Sequence, residues 1–189
     1  MLIIEPKQLT LRELHNLAAA AKGKVARLYL HWTAGRYAQI FDDYHLNVDA
    51  DGEFYQTCKA LDETKSHTWR RNTGSVGIAL CCALGAQCGA DGVPIYPQGY
   101  APTREQIDRL AMMIAILCIV LAIPLDAEHV ATHCEVAAVD GYGIGSGDPE
   151  LRWDLSYLPD KDGRMRPGGE LLRELAQGYA ERLRKLDFK

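Results

Sequence analysis

The sequence has no long run of basic residues, and its 21 Lys and Arg against 25 Asp and Glu give a formal net charge of −4. A protein that binds nucleic acid normally shows a basic patch or stripe, so no nucleic-acid partner is expected. Internal repeats and low-complexity tracts are also missing from the sequence. With 48% hydrophobic and 24% charged residues, the composition is that of an ordinary globular protein.

No CxxC pair occurs, although the sequence contains six cysteines. Their spacing argues against a four-cysteine zinc site and differs from that of small, disulfide-rich secreted domains. Buried free thiols in a reducing compartment are therefore expected. A bridge from Cys81 or Cys82 to Cys88 remains an alternative.

The sequence also lacks an apolar run as long as a membrane span. Leu110–Ile123 has 14 residues without a charge, whereas a transmembrane helix needs about 18 or more, so a buried helix is predicted and no stable membrane insertion is expected. The N-terminal apolar stretch is short and is followed at once by Glu5 and Pro6, unlike a signal peptide. We therefore expect synthesis in the cytoplasm, with release or export if the substrate lies outside.

Hydrophobic periodicity and turn residues predict helices that alternate with strands. Capping-box spacing and apolar patterning predict helices over about 11–21, 105–122 and 170–186. Strands are predicted at 25–33 and 76–82, a hairpin at 44–57, a short strand at 129–132 and a loop at 139–147. This order predicts a single α/β domain over 1–189, with a central mixed sheet flanked by helices, a core over about 25–158 and the C-terminal helix packed on it.

Two of the six histidines lie where a site is expected. His31 ends a predicted strand, and His133 closes the segment VATH. Strand ends in α/β proteins border the crevices in which sites form. A catalytic zinc ion takes nitrogen, oxygen or sulfur ligands and keeps one position for water, so two distant histidines and one carboxylate would supply a set. The simpler alternative is a histidine held by ordinary hydrogen bonds.

Five segments resemble, in order, the motifs of the zinc amidase family that includes phage amidase-type lysozymes and the peptidoglycan recognition proteins. They are LHWTAG (30–35), DYHLNVDADGEFYQ (43–56), SHTWRRNTGSVGIAL (66–80), THCEVA (132–137) and GDPELRWDL (147–155). Each match is weak alone, but their order and their strand and turn contexts fit. The resemblance implies the amidase fold and hydrolysis of the amide bond between N-acetylmuramic acid and L-alanine in peptidoglycan.

The same resemblance implies a Zn²⁺ cofactor held by His31, His133 and Asp148. Asp140, seven positions after His133, is a rival for the third ligand, because the spacing from His133 to Asp148 is long for the family. Asp148 is favoured because it belongs to the GDPELRWDL match. Cys134 is a weaker rival, since neighbouring side chains of an extended segment point to opposite sides.

Catalytic and substrate-binding roles are implied for further residues. Tyr44 matches the catalytic tyrosine, and Glu135 matches a family position whose alternative role is to orient a ligand histidine. His67, Asn72 and Ser75 are implied to line the substrate groove. Ordinary turn chemistry before a strand would also explain Asn72 and Ser75.

The resemblance leaves one family position unfilled. Many members have a lysine two positions before the third ligand, where it can stabilise the oxyanion. Counted from Asp148, that position is Ser146, and no lysine occurs between Lys65 and Lys161. Ser146, His67 or backbone N–H groups of the glycine-rich loop would then bind the oxyanion.

The biological setting is predicted less directly. The partner implied by the resemblance is peptidoglycan or its muropeptides, and a compact chain without wall-binding repeats favours a phage or prophage endolysin. A cell-wall recycling enzyme, an exported toxin and a non-catalytic peptidoglycan-binding module are the alternatives. The sequence does not indicate an oligomeric state.

Overall fold

The protein, described from a computed structural model over residues 1–148 and 151–186, is built on a six-stranded mixed sheet. In chain order its elements are β1 (Leu2–Ile3), β2 (Lys7–Gln8), α1 (Leu11–Ala20), β3 (Arg27–Trp32), β4 (Ile40–Phe41), β5 (Leu46–Val48), β6 (Phe54–Gln56), β7 (Ser75–Leu80), β8 (Gln87–Cys88), β9 (Pro94–Ile95), α2 (Arg104–Leu121), β10 (Val130–Thr132), α3 (His133–Asp140), β11 (Tyr157–Pro159), β12 (Met165–Pro167) and α4 (Gly168–Lys185).

The central sheet has the order β10-β3-β7-β5-β6-β2. Its first four strands are parallel, and β6 runs antiparallel to both β5 and β2. The predicted mixed α/β sheet is thus confirmed, with the predicted hairpin formed by β5 and β6. Because β10, β3 and β7 are parallel, their carboxyl ends lie at the same edge of the sheet.

The apolar segment at 110–123 lies in the core, as predicted. Most of α2 is buried, and the helix contacts α1 and α4. Gln106 in its first turn is fully buried, and its side-chain amide donates hydrogen bonds to the carbonyl oxygens of Val48 and Cys81. Within the described part of the chain, no helix is long and apolar enough to cross a membrane.

One helix was missed by the sequence analysis, which predicted a loop over 139–147. α3 extends to Asp140 and ends at Gly141, whose φ of 83° suits glycine. Thr132 and Glu135 form a capping box at its start. The capping-box spacing of Thr132 and Glu135 is visible in the sequence. It lies inside the THCEVA motif, which the sequence analysis relates to the metal site and not to a helix start.

All six cysteines are free in the structure, so the alternative bridge to Cys88 is not formed. Cys58, Cys81, Cys82 and Cys118 are buried, whereas Cys88 is exposed and Cys134 is half-buried. The expectation of buried free thiols therefore holds for four of the six.

Candidate metal centre and active site

The sheet edge and the start of α3 bring two histidines together. His31 is the penultimate residue of β3 and is fully buried. β10 pairs with β3 so that Thr132 is opposite Leu30. The capping box at Thr132 turns the chain from strand to helix directly at His133. The two imidazole rings consequently lie 4.8 Å apart, nearly perpendicular to each other.

Asp154 completes this group. Its Oδ2 atom lies 3.4 Å from Nδ1 of His31 and 3.5 Å from Nδ1 of His133. Zinc bonds of about 2.0–2.2 Å in a tetrahedral arrangement would place ligand atoms roughly 3.3–3.6 Å apart, which matches both distances. Among the described residues, Nδ1 of His31 is buried without a hydrogen-bond partner. The donor set and its spacing therefore fit a zinc ion.

The protonation states of the group also suit a metal. Burial lowers the pKa of His31 to about 4, although Asp154 opposes this shift, so the imidazole is neutral at neutral pH. Burial alone would raise the pKa of Asp154, but the close approach of His133 and His31 outweighs it and holds this pKa below its usual range. Neutral imidazoles and an ionised carboxylate are the forms that bind metal.

Tyr44 and Arg152 line a cavity of about 460 Å³ on one side of the group. The Tyr44 hydroxyl donates a hydrogen bond to the carbonyl oxygen of Trp32 at 3.2 Å, and its ring centre is 5.1 Å from that of His31. Burial, reinforced by the charge of Asp154, raises the pKa of Tyr44 above its usual value. Tyr44 is therefore a neutral hydrogen-bond donor rather than a base.

A larger cavity of about 640 Å³ lies beside His133. His67, Asn72 and Arg152 contribute to its wall, together with Trp69 and Tyr142, whose rings meet edge to face. Arg152 lines both cavities. His133 lines this cavity and Asp154 the smaller one, so an extended substrate can lie across the three-residue group.

Comparison with known proteins identifies the family of the chain. The sequence model of the N-acetylmuramoyl-L-alanine amidase family matches residues 14–149. The chain belongs to this family. Comparison with curated proteins gives no match. The crystal structure of AmpDH3 from Pseudomonas aeruginosa is similar at a TM-score of 0.42 and 23% identity, over 58% of the amidase chain and 50% of the other, so the amidase chain covers about half of that protein's length.

The match confirms the predicted family, but it ends before Asp154. In the structure Asp154, and not the predicted Asp148, lies beside the two histidines. Within the described residues, the metal-type group contains Asp154 and not Asp148. Asp148 lines the larger cavity, and its N–H donates a hydrogen bond to Ser146 Oγ. Pro149, which supported Asp148 in the motif match, lies with residue 150 outside the described residues.

Packing of two tryptophans explains why the later aspartate of GDPELRWDL lies beside the histidines. Trp153 meets Trp32 edge to face at 4.7 Å, which holds the segment against the end of β3 and carries Asp154 to His31. Asp140, the rival third ligand, is bound at Oδ1 and Oδ2 by the Arg71 guanidinium. Cys134 lies outside the described metal-type group.

The position of Asp154 also changes which residue stands where many family members have a lysine. Counted from Asp154, the residue two positions earlier is Arg152, not Ser146. Arg152 borders both cavities, and its planar guanidinium can donate several hydrogen bonds. The sequence analysis missed Arg152 because the choice of Asp148 displaced the count by six positions.

The remaining predicted residues are supporting groups in the amidase. Glu135 caps α3 and is bound by both terminal nitrogens of Arg173 on α4. These contacts hold α3 in place, and the catalytic role of Glu135 stays a prediction. Asn72 accepts the backbone N–H groups of His67 and Thr68. Ser75 is buried, and its hydroxyl donates to the carbonyl oxygens of Arg71 and Asn72.

Proposed function

We propose that this amidase is zinc-dependent and hydrolyses the amide bond between N-acetylmuramic acid and L-alanine in peptidoglycan. The observation that carries the proposal is the group formed by His31, His133 and Asp154, with ligand-atom separations of 3.4 and 3.5 Å. Two neutral imidazoles and one carboxylate are a recurrent ligand set of catalytic zinc, which leaves one position open. Asp148 is not proposed as a ligand.

When bound, zinc would polarise the scissile carbonyl and lower the pKa of water to about 7. The protein's own groups supply the rest. Tyr44 would donate a hydrogen bond to the carbonyl oxygen, in place of its present acceptor on Trp32. Arg152 would offset the negative charge that develops on the same oxygen. Both residues line the smaller cavity next to Asp154.

The two cavities suit a substrate whose scissile bond joins a sugar to a peptide. One arm would lie in the larger cavity, against Trp69 and Tyr142, and the other in the smaller one. His67 and Asn72 would shape the larger cavity from behind. We propose that the chain works as one domain, because α4 packs on α2 and binds α3 through Arg173.

The experiment is digestion of purified peptidoglycan with and without a chelator, followed by mass analysis of the ends released. Wild type is expected to release peptides with a free L-alanine amino group and to lose this activity when the metal is removed. Asp154→Asn is expected to be inactive and Asp148→Asn to retain metal and activity. Full activity in folded, metal-free protein would refute the zinc proposal, and binding to the polymer without any cleavage would indicate a binding module.

We propose an endolysin role for the amidase, because the motifs that the sequence resembles are shared by phage amidase-type lysozymes. The test is lysis of intact cells by expressed protein, alone and together with a membrane-pore protein. Lysis that requires the pore protein supports the endolysin role. Cleavage of only small soluble muropeptides would instead support cell-wall recycling.

A further inference from the structure

A chain of buried side chains lies behind His31, on the side away from Asp154. Nε2 of His31 is 3.3 Å from the hydroxyl oxygen of Thr68, which is 2.9 Å from Nδ1 of His67. Nε2 of His67 is in turn 3.5 Å from Ser75 Oγ, and this hydroxyl reaches the carbonyl oxygen of Arg71 at 2.8 Å. The four side chains are at most 7% exposed, so water does not replace these partners.

The hydrogen bond from Ser75 to the carbonyl oxygen of Arg71 fixes the direction of every other hydrogen bond in this series of side chains. A carbonyl oxygen only accepts, so the Ser75 hydroxyl donates its proton to backbone. Ser75 Oγ can then only accept, and a neutral His67 matches it when the ring proton is on Nε2. Nδ1 of His67 is then an acceptor for the Thr68 hydroxyl. The hydroxyl oxygen of Thr68 then accepts a hydrogen bond from the protonated Nε2 of His31.

The opposite arrangement is unfavourable at two places. A proton on Nδ1 of His67 would leave the Nε2 lone pair facing an oxygen of Ser75 that has no proton to give. With a metal bound, a proton on Nδ1 of His31 would occupy the position at which the metal needs a lone pair. Only the first arrangement satisfies both ends of the chain.

Packing holds His67 in place for this role. A Cβ atom added to Gly77 on β7 would come within 2.5 Å of the His67 ring, so the ring lies directly on bare backbone. The side-chain oxygen of Asn72 accepts hydrogen bonds from the backbone N–H groups of both His67 and Thr68. The fold therefore fixes the position of the Thr68 hydroxyl between the two imidazole rings.

We propose that Thr68 is a positioning residue, whose hydroxyl keeps His31 protonated at Nε2 and so presents the Nδ1 lone pair to the metal. The inference rests on the proposed zinc function. It agrees with the buried Nδ1 atom of His31, which has no hydrogen-bond partner among the described residues and lies 3.4 Å from Asp154. Replacing such a partner of a ligand histidine typically lowers metal affinity about 10- to 100-fold.

The test compares Thr68→Val, which keeps the shape but removes the hydroxyl, with Thr68→Ser, which keeps the hydroxyl. Zn²⁺ affinity is measured by competition with a chromophoric chelator, and circular dichroism and a melt of the metal-free proteins check folding. We expect Thr68→Val to bind Zn²⁺ at least ~10-fold more weakly and Thr68→Ser to remain near wild type. Equal affinity of folded Thr68→Val and wild type would overturn the proposal.

Nitrogen NMR shifts of the His31 ring in metal-free wild type provide a readout independent of catalysis. The expected tautomer carries its proton on Nε2, and a proton on Nδ1 overturns the inference even if zinc binds. If Thr68→Val does not fold, Ser75→Ala removes the last hydroxyl of the series and is expected to change the ratio of the two His31 tautomers. An unchanged ratio would contradict the proposal. Failure of wild type to bind Zn²⁺ at all would instead refute the proposed function.

Discussion

At the scale of single residues, Tyr44 is placed to affect turnover more than stability. Tyr44→Phe removes one hydrogen bond to Trp32, which costs about 1 kcal/mol of folding free energy, whereas losing an oxyanion donor lowers kcat about 10²- to 10³-fold. Muropeptide kinetics and urea unfolding measure the two effects. Tyr55→Phe is the matched control, because that hydroxyl donates a hydrogen bond to the exposed side chain of Glu53. Unchanged turnover in Tyr44→Phe would remove Tyr44 from the mechanism.

Arg152 gives a second test at this scale. Arg152→Ala is expected to lower kcat about 10²-fold, because the positive charge beside the oxyanion is lost. Arg152→Lys should recover part of the rate, since a point charge remains but the planar donor fork does not. Zinc content should be unchanged in both variants. A rate loss equal in the Lys and Ala variants would contradict the electrostatic role.

Residue types and local context were enough to find His31 and His133, but not the third member of the group. His31 lies near the end of a predicted strand and His133 directly follows another, so the strand prediction located them. GDPELRWDL contains two aspartates, and nothing in its local sequence distinguishes them. The choice depends on Trp153 meeting Trp32, a contact between residues 121 positions apart, which no local pattern encodes.

At the scale of elements, α4 should secure the metal site through α3. Arg173 donates to both carboxylate oxygens of Glu135 and to the carbonyl oxygen of Val130. Arg173→Ala is expected to cost about 1–3 kcal/mol of stability and to weaken zinc binding, since α3 begins at His133. Urea unfolding and chelator competition measure these effects. Arg166→Ala, whose two glutamate partners are exposed, should leave zinc affinity unchanged, and an equal loss in both variants would contradict the link.

The C-terminal end of α3 is held by an ion pair between Arg71 and Asp140, whose contribution to stability should depend on pH. Arg71 lowers the pKa of Asp140 below its usual 3.8, and the pair is partly exposed, so Asp140→Asn should cost about 0.5–1 kcal/mol. Because the pKa of Asp140 is lower in the folded state, the ion pair stabilises the protein fully above about pH 4. This stabilisation is lost as the pH falls through the folded-state pKa. Urea unfolding of wild type and variant from pH 3 to 7 should show a difference that shrinks only at the acid end. A constant difference would contradict the assignment.

Element prediction succeeded where capping and periodicity agreed. The capping boxes at Thr10 and Thr103 marked the starts of α1 and α2 within one residue of the observed bounds. α3 escaped because it has eight residues, and Thr132 and Glu135 at its start were interpreted as part of a motif. Short helices depend on tertiary packing, which here comes from the Arg173 contact.

At the scale of the whole molecule, the metal group joins three separate parts of the fold. His31 lies on the central sheet, His133 begins α3, and Asp154 precedes β11. A ligand that binds only the folded state adds about 4 kcal/mol of stability at 1,000 times its Kd. We therefore expect metal-free protein to melt at a lower temperature and excess Zn²⁺ to restore the transition.

Two aspartate variants decide whether that stabilisation comes from the proposed group. Asp154→Asn should abolish the shift produced by Zn²⁺, because the carboxylate ligand is lost. Asp148→Asn should keep it, since Asp148 lies in the cavity wall and outside the described three-residue group. Thermal melts with and without Zn²⁺, read together with metal content, compare the pair directly. If Asp148→Asn lost the shift and Asp154→Asn kept it, the ligand assignment would be reversed.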